Sequence, residues 1–339
     1  MIEVLTVEHS EEMCNAISDI LNYDPDIHMI GSARNGFEAI RKIKEFAPDV
    51  VLLNLEISGI DSIDVIKELE EINPVPVVLV SSLNDEHSRK LTDESFEEIV
   101  VEFILRPENP ADLKKIANEL REKVKSAAES NLRKVLPEKK LRINSISSQD
   151  KIIVIASSTG GPPAVSYILS SLPENIPCPI IVVQHMPEIF TKSFAERLNS
   201  VCEIEVKEAE KGEELIEGVA YIAPGDFHLE IKRQQGSKII VLLNKKKKQL
   251  GVRPNADITM RTASAIFKEA TIGVVLTGMG HDGTNGAKFI KRHEGTVIIQ
   301  SKKTCVIYGM PGSIFKTGYY DLVLDLGNIP VALAQLMEI

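Results

Sequence analysis

The sequence predicts an α/β protein of two doubly wound domains, each built on a mostly parallel sheet, the second carrying an antiparallel hairpin insertion. Three observations carry that prediction. Apolar runs of strand length alternate with amphipathic stretches along most of the chain. The apolar runs are nearly continuous, as strands covered by helices on both faces require. The pattern lapses over 128–149, "AESNLRKVLPEKKLRINSISSQ", which predicts a linker between a domain at 1–127 and a second at 150–339.

In the first domain "IEVLTV" (2–7) reads as strand and "EEMCNAISDILN" (11–22) as helix. "HMIGSA" (28–33) is strand, and "GFEAIRKIKEF" (36–46) is helix, with apolar residues three and four apart on one face. "DVVLLNL" (49–55), "VPVVLVSS" (75–82) and "VVEFILRP" (100–107) are the remaining strands. Between them lie a helix at 62–72 and a charged helical stretch after 82, and a last helix is expected at 109–127. In the second domain strands are expected at 151–156, 179–184, 219–223, 239–243, 271–277, 296–300 and 321–325. Helices are expected at 162–172, 190–199, 257–269, 283–293, 311–316 and 328–338, with a hairpin around 227–243.

The totals narrow the function. With 39 Lys+Arg against 49 Asp+Glu, the formal charge is −10, which disfavours a general binder of nucleic acid or of anionic membranes. The basic run "NKKKKQL" (244–250) reads as an exposed turn. Cys14, Cys178, Cys202 and Cys305 lack metal-ligand spacing and read as reduced, mostly buried thiols. No uninterrupted apolar stretch approaches membrane-spanning length and no signal peptide is evident, so the expected location is cytoplasmic.

Ligands in such sheets sit at the carboxyl ends of strands. Three strands of the second domain end in polar residues there. "IIVIASSTGG" runs into Ser-Ser-Thr-Gly-Gly ahead of a helix, "IIVVQHMP" ends in His185, and "GVVLTGMGHDG" breaks into a turn carrying Asp282. Each has a plain structural reading: an N-cap or phosphate loop, a packed histidine, a capping aspartate. Together they supply a nucleophile, a base and a carboxylate to orient the base.

"SSTGGPPAV", "VVQHMPEIFTKSFAERL", "EGVAYIAPGDFHL", "VVLTGMGHDGTNGA" and "YGMPGSIFKTG" follow one another from about 151 to the C-terminus. In this the block resembles the catalytic domain of the CheB family of chemotaxis protein-glutamate methylesterases, and the resemblance implies a Rossmann-like sheet. It implies Ser158 as nucleophile, His185 as base and Asp282 as its orienting carboxylate, with Thr159, Met279 and Gly280 beside the oxyanion site. It also implies acyl transfer from methylated glutamates on chemoreceptor helices, with glutamine deamidation as a further family activity. Two departures stand out. Ala156-Ser157 precede Ser158 where the family has Gly-Ala, and His281, expected to be exposed, stands where relatives carry a small residue.

The first domain resembles a response-regulator receiver, which implies a flavodoxin-like fold. Active receivers place an acidic pair after the first strand, a phosphoryl-accepting aspartate after the third, Ser or Thr after the fourth and lysine after the fifth. Here Glu8-His9, Asn54, Ser81 and Arg106 occupy those places. An amide cannot form an acyl phosphate, and one carboxylate beside a histidine is a poor Mg²⁺ site. The resemblance with these departures implies a pseudo-receiver without its metal or its phosphorylation switch, open to a chemotaxis kinase or adaptor as partner. No cofactor is expected. Two alternatives remain at this point: a non-catalytic docking or scaffold protein of the same shape, and a small-molecule serine hydrolase.

Overall fold

In the first of two compact units, Met1–Val135, five parallel strands lie in the order β2-β1-β3-β4-β5, the flavodoxin-like order. They are β1 (Ile2–Val7), β2 (Ile27–Ala33), β3 (Val50–Asn54), β4 (Val77–Ser82) and β5 (Val100–Arg106). The computed structural model describes residues 1–72, 74–82, 99–129, 151–234 and 238–337. The expected linker and the charged stretch after 82 therefore lie largely outside the described residues.

Helices α1 (Glu11–Asn22), α2 (Gly36–Phe46) and α3 (Ser62–Ile72) stand where the periodicity puts them. Ser10 and Asn35 start the first two, their side chains accepting from the N–H groups of Met13 and Glu38. The expected helix at 109–127 is instead a 3₁₀ segment, Pro110–Ile116, followed by α4 (Ala117–Glu129). Asn109 accepts from the N–H of Ala111, two residues on, and Pro110 fixes the first φ of a segment wound at fewer residues per turn than an α-helix. Val4, Val50, Leu52, Val78 and Ile104 form the core beneath α1 and α4.

The second unit, Leu136–Ile339, holds a seven-stranded sheet in the order β14-β13-β12-β6-β7-β9-β8, every pairing parallel. Its strands are β6 (Ile152–Ser157), β7 (Ile180–Gln184), β8 (Glu205–Glu208), β9 (Val219–Ile222), β12 (Thr271–Val275), β13 (Thr296–Gln300) and β14 (Leu322–Leu324). Within this unit the chain passes from central β6 through β7 to the edge strand β8, comes back to β9 between β7 and β8, and later crosses to the other side of β6 at β12. The topological switch therefore falls between β6 and β12. β10 (His228–Arg233) and β11 (Ile239–Asn244) form the expected antiparallel hairpin as a separate two-stranded sheet.

Helices α5 (Gly161–Ser170), α6 (Glu188–Val201), α7 (Ala256–Phe267), α8 (Thr284–Arg292), α9 (Met310–Thr317) and α10 (Ile329–Leu336) complete the unit. β6, β7 and β12 are buried at every position, which explains their largely apolar sequences. Each Val or Ile so buried contributes about 2 kcal/mol of transfer free energy. β8 was not expected: its sequence, EVKE, is charged because it lies at the sheet edge, where alternate residues face water. Among the described residues, no helix is long and apolar enough to cross a membrane.

Candidate active site

The register of the second sheet brings the three polar strand ends together. Ser157 pairs with Gln184, and the N–H of His185 donates to the Ser157 carbonyl at 3.0 Å. On the other side, the N–H of Ser158 donates to the carbonyl of Thr277 at 3.1 Å. Ser158 therefore emerges from the central strand between the ends of β7 and β12, at the switch point. A methyl group on Gly278 would sit 2.7 Å from Ser158 Cβ and 2.5 Å from Met310 Sδ, so only glycine fits there. Gly160, at φ 73°, turns the chain from Ser158-Thr159 into α5.

His185 Nε2 lies 2.7 Å from Asp282 Oδ2. The carboxylate is buried, and four other donors hold it: Asn255 Nδ2 at 2.8 Å and the backbone N–H groups of Ala256 (2.7 Å), Asp257 (3.1 Å) and Gly283 (2.9 Å). Two of these N–H groups open α7, so Asp282 faces the positive end of that helix. Burial pushes its carboxyl up. The hydrogen bond and charge of His185, with the N–H groups of Ala256 and Asp257, outweigh this and hold it below the usual carboxylate range. With Nε2 on the carboxylate, Nδ1 is the ring nitrogen turned away from Asp282. Asp257 next door is pushed the other way, by burial and then by the charge of Asp282.

Ser158 is half-buried, and among the described residues its hydroxyl makes no hydrogen bond to His185. Ser157 is fully buried, and its hydroxyl donates to Gln184 Oε1 at 2.6 Å. Gln184 Nε2 in turn donates to the carbonyls of Ser158 and His185, both at 3.0 Å. Ser157 thus belongs to a buried clamp that fixes the strand ends. Sequence reasoning missed Gln184, Asn255, Thr277 and Gly278. A glutamine closing the apolar run "IIVVQ" was the one available signal.

Thr159 is buried, with its carbonyl accepting from Thr277 Oγ1 at 3.0 Å, whereas Met279, Gly280 and His281 lie on an exposed loop. Among the described residues, the N–H groups of Thr159, Met279 and Gly280 make no hydrogen bond. Such unpaired donors are what a developing oxyanion needs.

The first unit carries a separate polar cluster. Asn54 Nδ2 donates to Glu8 Oε2 at 2.7 Å, both residues being buried, and Asn54 Oδ1 accepts from the N–H of Glu56. Arg106 Nε lies 3.7 Å from the same Glu8 oxygen, and Arg106 Nη2 lies 3.4 Å from Glu56 Oε2. Glu8 Oε1 meets His9 Nδ1 at 3.1 Å and the Ser10 N–H at 3.0 Å. Ser81 turns its hydroxyl to the Ser82 carbonyl, while Ser82 Oγ reaches Glu56 Oε1 at 2.5 Å. Ser82 and Glu56 are thus cluster members that the sequence pattern did not single out. These residues do not fit Mg²⁺, the cation receivers use. Both carboxylates of the cluster are already engaged: Glu8 by an amide, a guanidinium, an imidazole and a backbone N–H, and Glu56 by the Ser82 hydroxyl and Arg106.

Comparison with known proteins bears on both units. Residues 153–333 match the family described as CheB methylesterase, and residues 4–118 match the response regulator receiver domain. A curated Thermotoga maritima protein named protein-glutamate methylesterase/protein-glutamine glutaminase is 43% identical, the match covering 99% of each chain. The chain belongs to the CheB methylesterase family. Another CheB relative of that name, from Halalkalibacterium halodurans, is 42% identical over 96% of this chain and 95% of its own. Among solved structures, the Thermotoga maritima CheB methylesterase catalytic domain aligns with a TM-score of 0.54 and 52% identity. That match covers 56% of this chain and all of the other.

Proposed function

We propose that this protein is a protein-glutamate methylesterase that hydrolyses glutamate γ-methyl esters on the cytoplasmic helices of chemoreceptors in chemotactic adaptation. The observation that carries the reading is the 2.7 Å His185–Asp282 pair at the strand end beside Ser158. Ser158 Oγ attacks the ester carbonyl as His185 Nδ1 takes its proton, and Asp282 stabilises the imidazolium through Nε2. The N–H groups of Thr159, Met279 and Gly280 are the candidate donors to the tetrahedral oxyanion. Collapse breaks the C–OCH₃ bond, and the imidazolium returns the proton to the departing methoxide as methanol. Water, deprotonated by the same nitrogen, then opens the acyl-enzyme to free glutamate and Ser158. Glutamine would follow the same path with ammonia leaving. The test is methanol release from a methylated receptor fragment, abolished by Ser158→Ala and retained by Ser157→Ala. Retention in both variants would refute the assignment.

We further propose that the first unit, assigned to 1–127 and joined through a linker at 128–149 to an esterase at 150–339, is a pseudo-receiver. Its phosphorylation switch is replaced by a permissive arrangement or by a protein partner such as a chemotaxis kinase or adaptor. The amide-to-carboxylate bond between Asn54 and Glu8 supports this, because it ties up the residue at the phosphoacceptor place and the carboxylate beside it. Phosphoryl labelling of any residue in 1–127 by a kinase or small phosphodonor would overturn it.

A further inference from the structure

The loop after β11 carries Lys245, Lys246, Lys247 and Lys248, a basic run in a chain of net charge −10. The loop is stapled at several points. Arg253 Nη1 donates to the carbonyls of Lys245 (2.8 Å) and Lys246 (2.7 Å), while its Nε and Nη2 grip Asp226 Oδ1 at 3.2 and 2.6 Å. Buried His228 holds the Lys247 carbonyl through Nε2 at 3.2 Å. The first two ammonium groups are engaged locally. Lys245 lies 3.3 Å from Asp226 and 3.7 Å from Glu188, and Lys246 lies 2.8 Å from Glu230. Lys247 and Lys248 are exposed, and among the described residues they make no ion pair.

A merely solvated turn has no need of carbonyls pinned from beneath. The staple is also continuous with the catalytic machinery. Arg253 stands two residues before Asn255, whose amide holds Asp282, and Lys245 reaches Glu188, three residues after His185. The two unspent cations therefore stand on a fixed platform that shares its supports with the strand-end site.

Resting on the methylesterase reading, each turnover replaces a neutral ester by a carboxylate, so a receptor segment bearing several such sites grows more anionic as it is processed. An enzyme of net charge −10 repels such a segment unless a local positive surface steers it. We propose that Lys247 and Lys248 dock the acidic helix that carries the glutamyl ester, holding it across the mouth of the site.

The experiment compares methanol release by the full-length protein, by Lys247→Glu/Lys248→Glu, and by Lys232→Glu/Arg233→Glu at the far end of the hairpin. The substrate is a soluble methylated receptor fragment. The first variant is expected to lose about 10-fold in kcat/KM at low ionic strength through KM, with kcat unchanged and the difference gone near about 0.5 M salt. The second variant should match the unaltered protein. An unchanged KM, an equal effect of both double variants, a salt-independent loss in kcat, or lysine-dependent binding to phosphatidylserine vesicles with kcat/KM unchanged would each overturn the docking proposal. No methanol release by the unaltered protein would instead remove the methylesterase reading beneath it.

Discussion

His185 and Asp282 stand 97 residues apart in the chain and meet through a 2.7 Å contact between Nε2 and Oδ2, with the carboxylate already holding four other donors. The imidazole is therefore oriented by a group that is itself fixed by a helix terminus. Replacing His185 by Ala should lower methanol release about 10²–10⁴-fold without unfolding the protein. Circular dichroism and a rate measurement on the same sample check both halves of that statement.

Asp282→Asn keeps the shape but turns an NH₂ group toward donors. We expect a loss of about 2–4 kcal/mol in stability at neutral pH, since buried N–H groups lose their acceptor, and a rate loss of about 10²–10⁴-fold. The folded-state pKa of Asp282 is depressed, so its contribution is fully present above the unfolded value and fades as pH falls through the folded value. Denaturant midpoints of the two proteins should therefore converge toward acid. A gap that widens toward acid would contradict the sign.

Gly278→Ala places a methyl group 2.7 Å from Ser158 Cβ. Displacement of the serine should cost about 10²-fold in rate, while overpacking costs about 1–3 kcal/mol in stability. Wild-type rate with normal stability would show that the serine position is not constrained in this way.

Asn54→Asp is expected not to restore a switch, because the oxygens of Glu8 and Glu56 are already engaged by His9, Ser10, Arg106 and Ser82. Bringing a second carboxylate to Glu8 should destabilise the first unit by about 1–3 kcal/mol at neutral pH. The deficit should shrink on acidification as the pair takes up a proton. Mg²⁺-dependent labelling of the variant by acetyl phosphate, followed by mass spectrometry, is expected to be absent.

The cysteines should be inert in the native protein. Burial pushes the thiols of Cys178, Cys202 and Cys305 up to about 12, and that of Cys14 is raised as well, by burial and then by the charge of Glu8. With almost no thiolate at pH 8, alkylation by iodoacetamide should await unfolding and leave activity intact. Cys178 is fully buried, and Cys14, Cys202 and Cys305 are partly buried, in keeping with the expectation of mostly buried thiols.

The amino-acid sequence by itself reported most of the described strands and helices of both domains, because continuous apolar runs and period-3.6 stretches report burial on two faces or on one. It also set out Ser158, His185 and Asp282 as polar ends of buried strands, and Asn54 as an amide where a carboxylate belongs. It did not report β8, whose charged edge carries no burial signal, or Ser157, whose hydroxyl is indistinguishable from its neighbour's until Gln184 is seen accepting from it. Only the tertiary structure decided which ring nitrogen faces Asp282, which donors hold that carboxylate, and that Arg106 and Asn54 converge on Glu8. Those are relations between side chains far apart in the chain, fixed by strand register and crossover, and local periodicity carries no information about them.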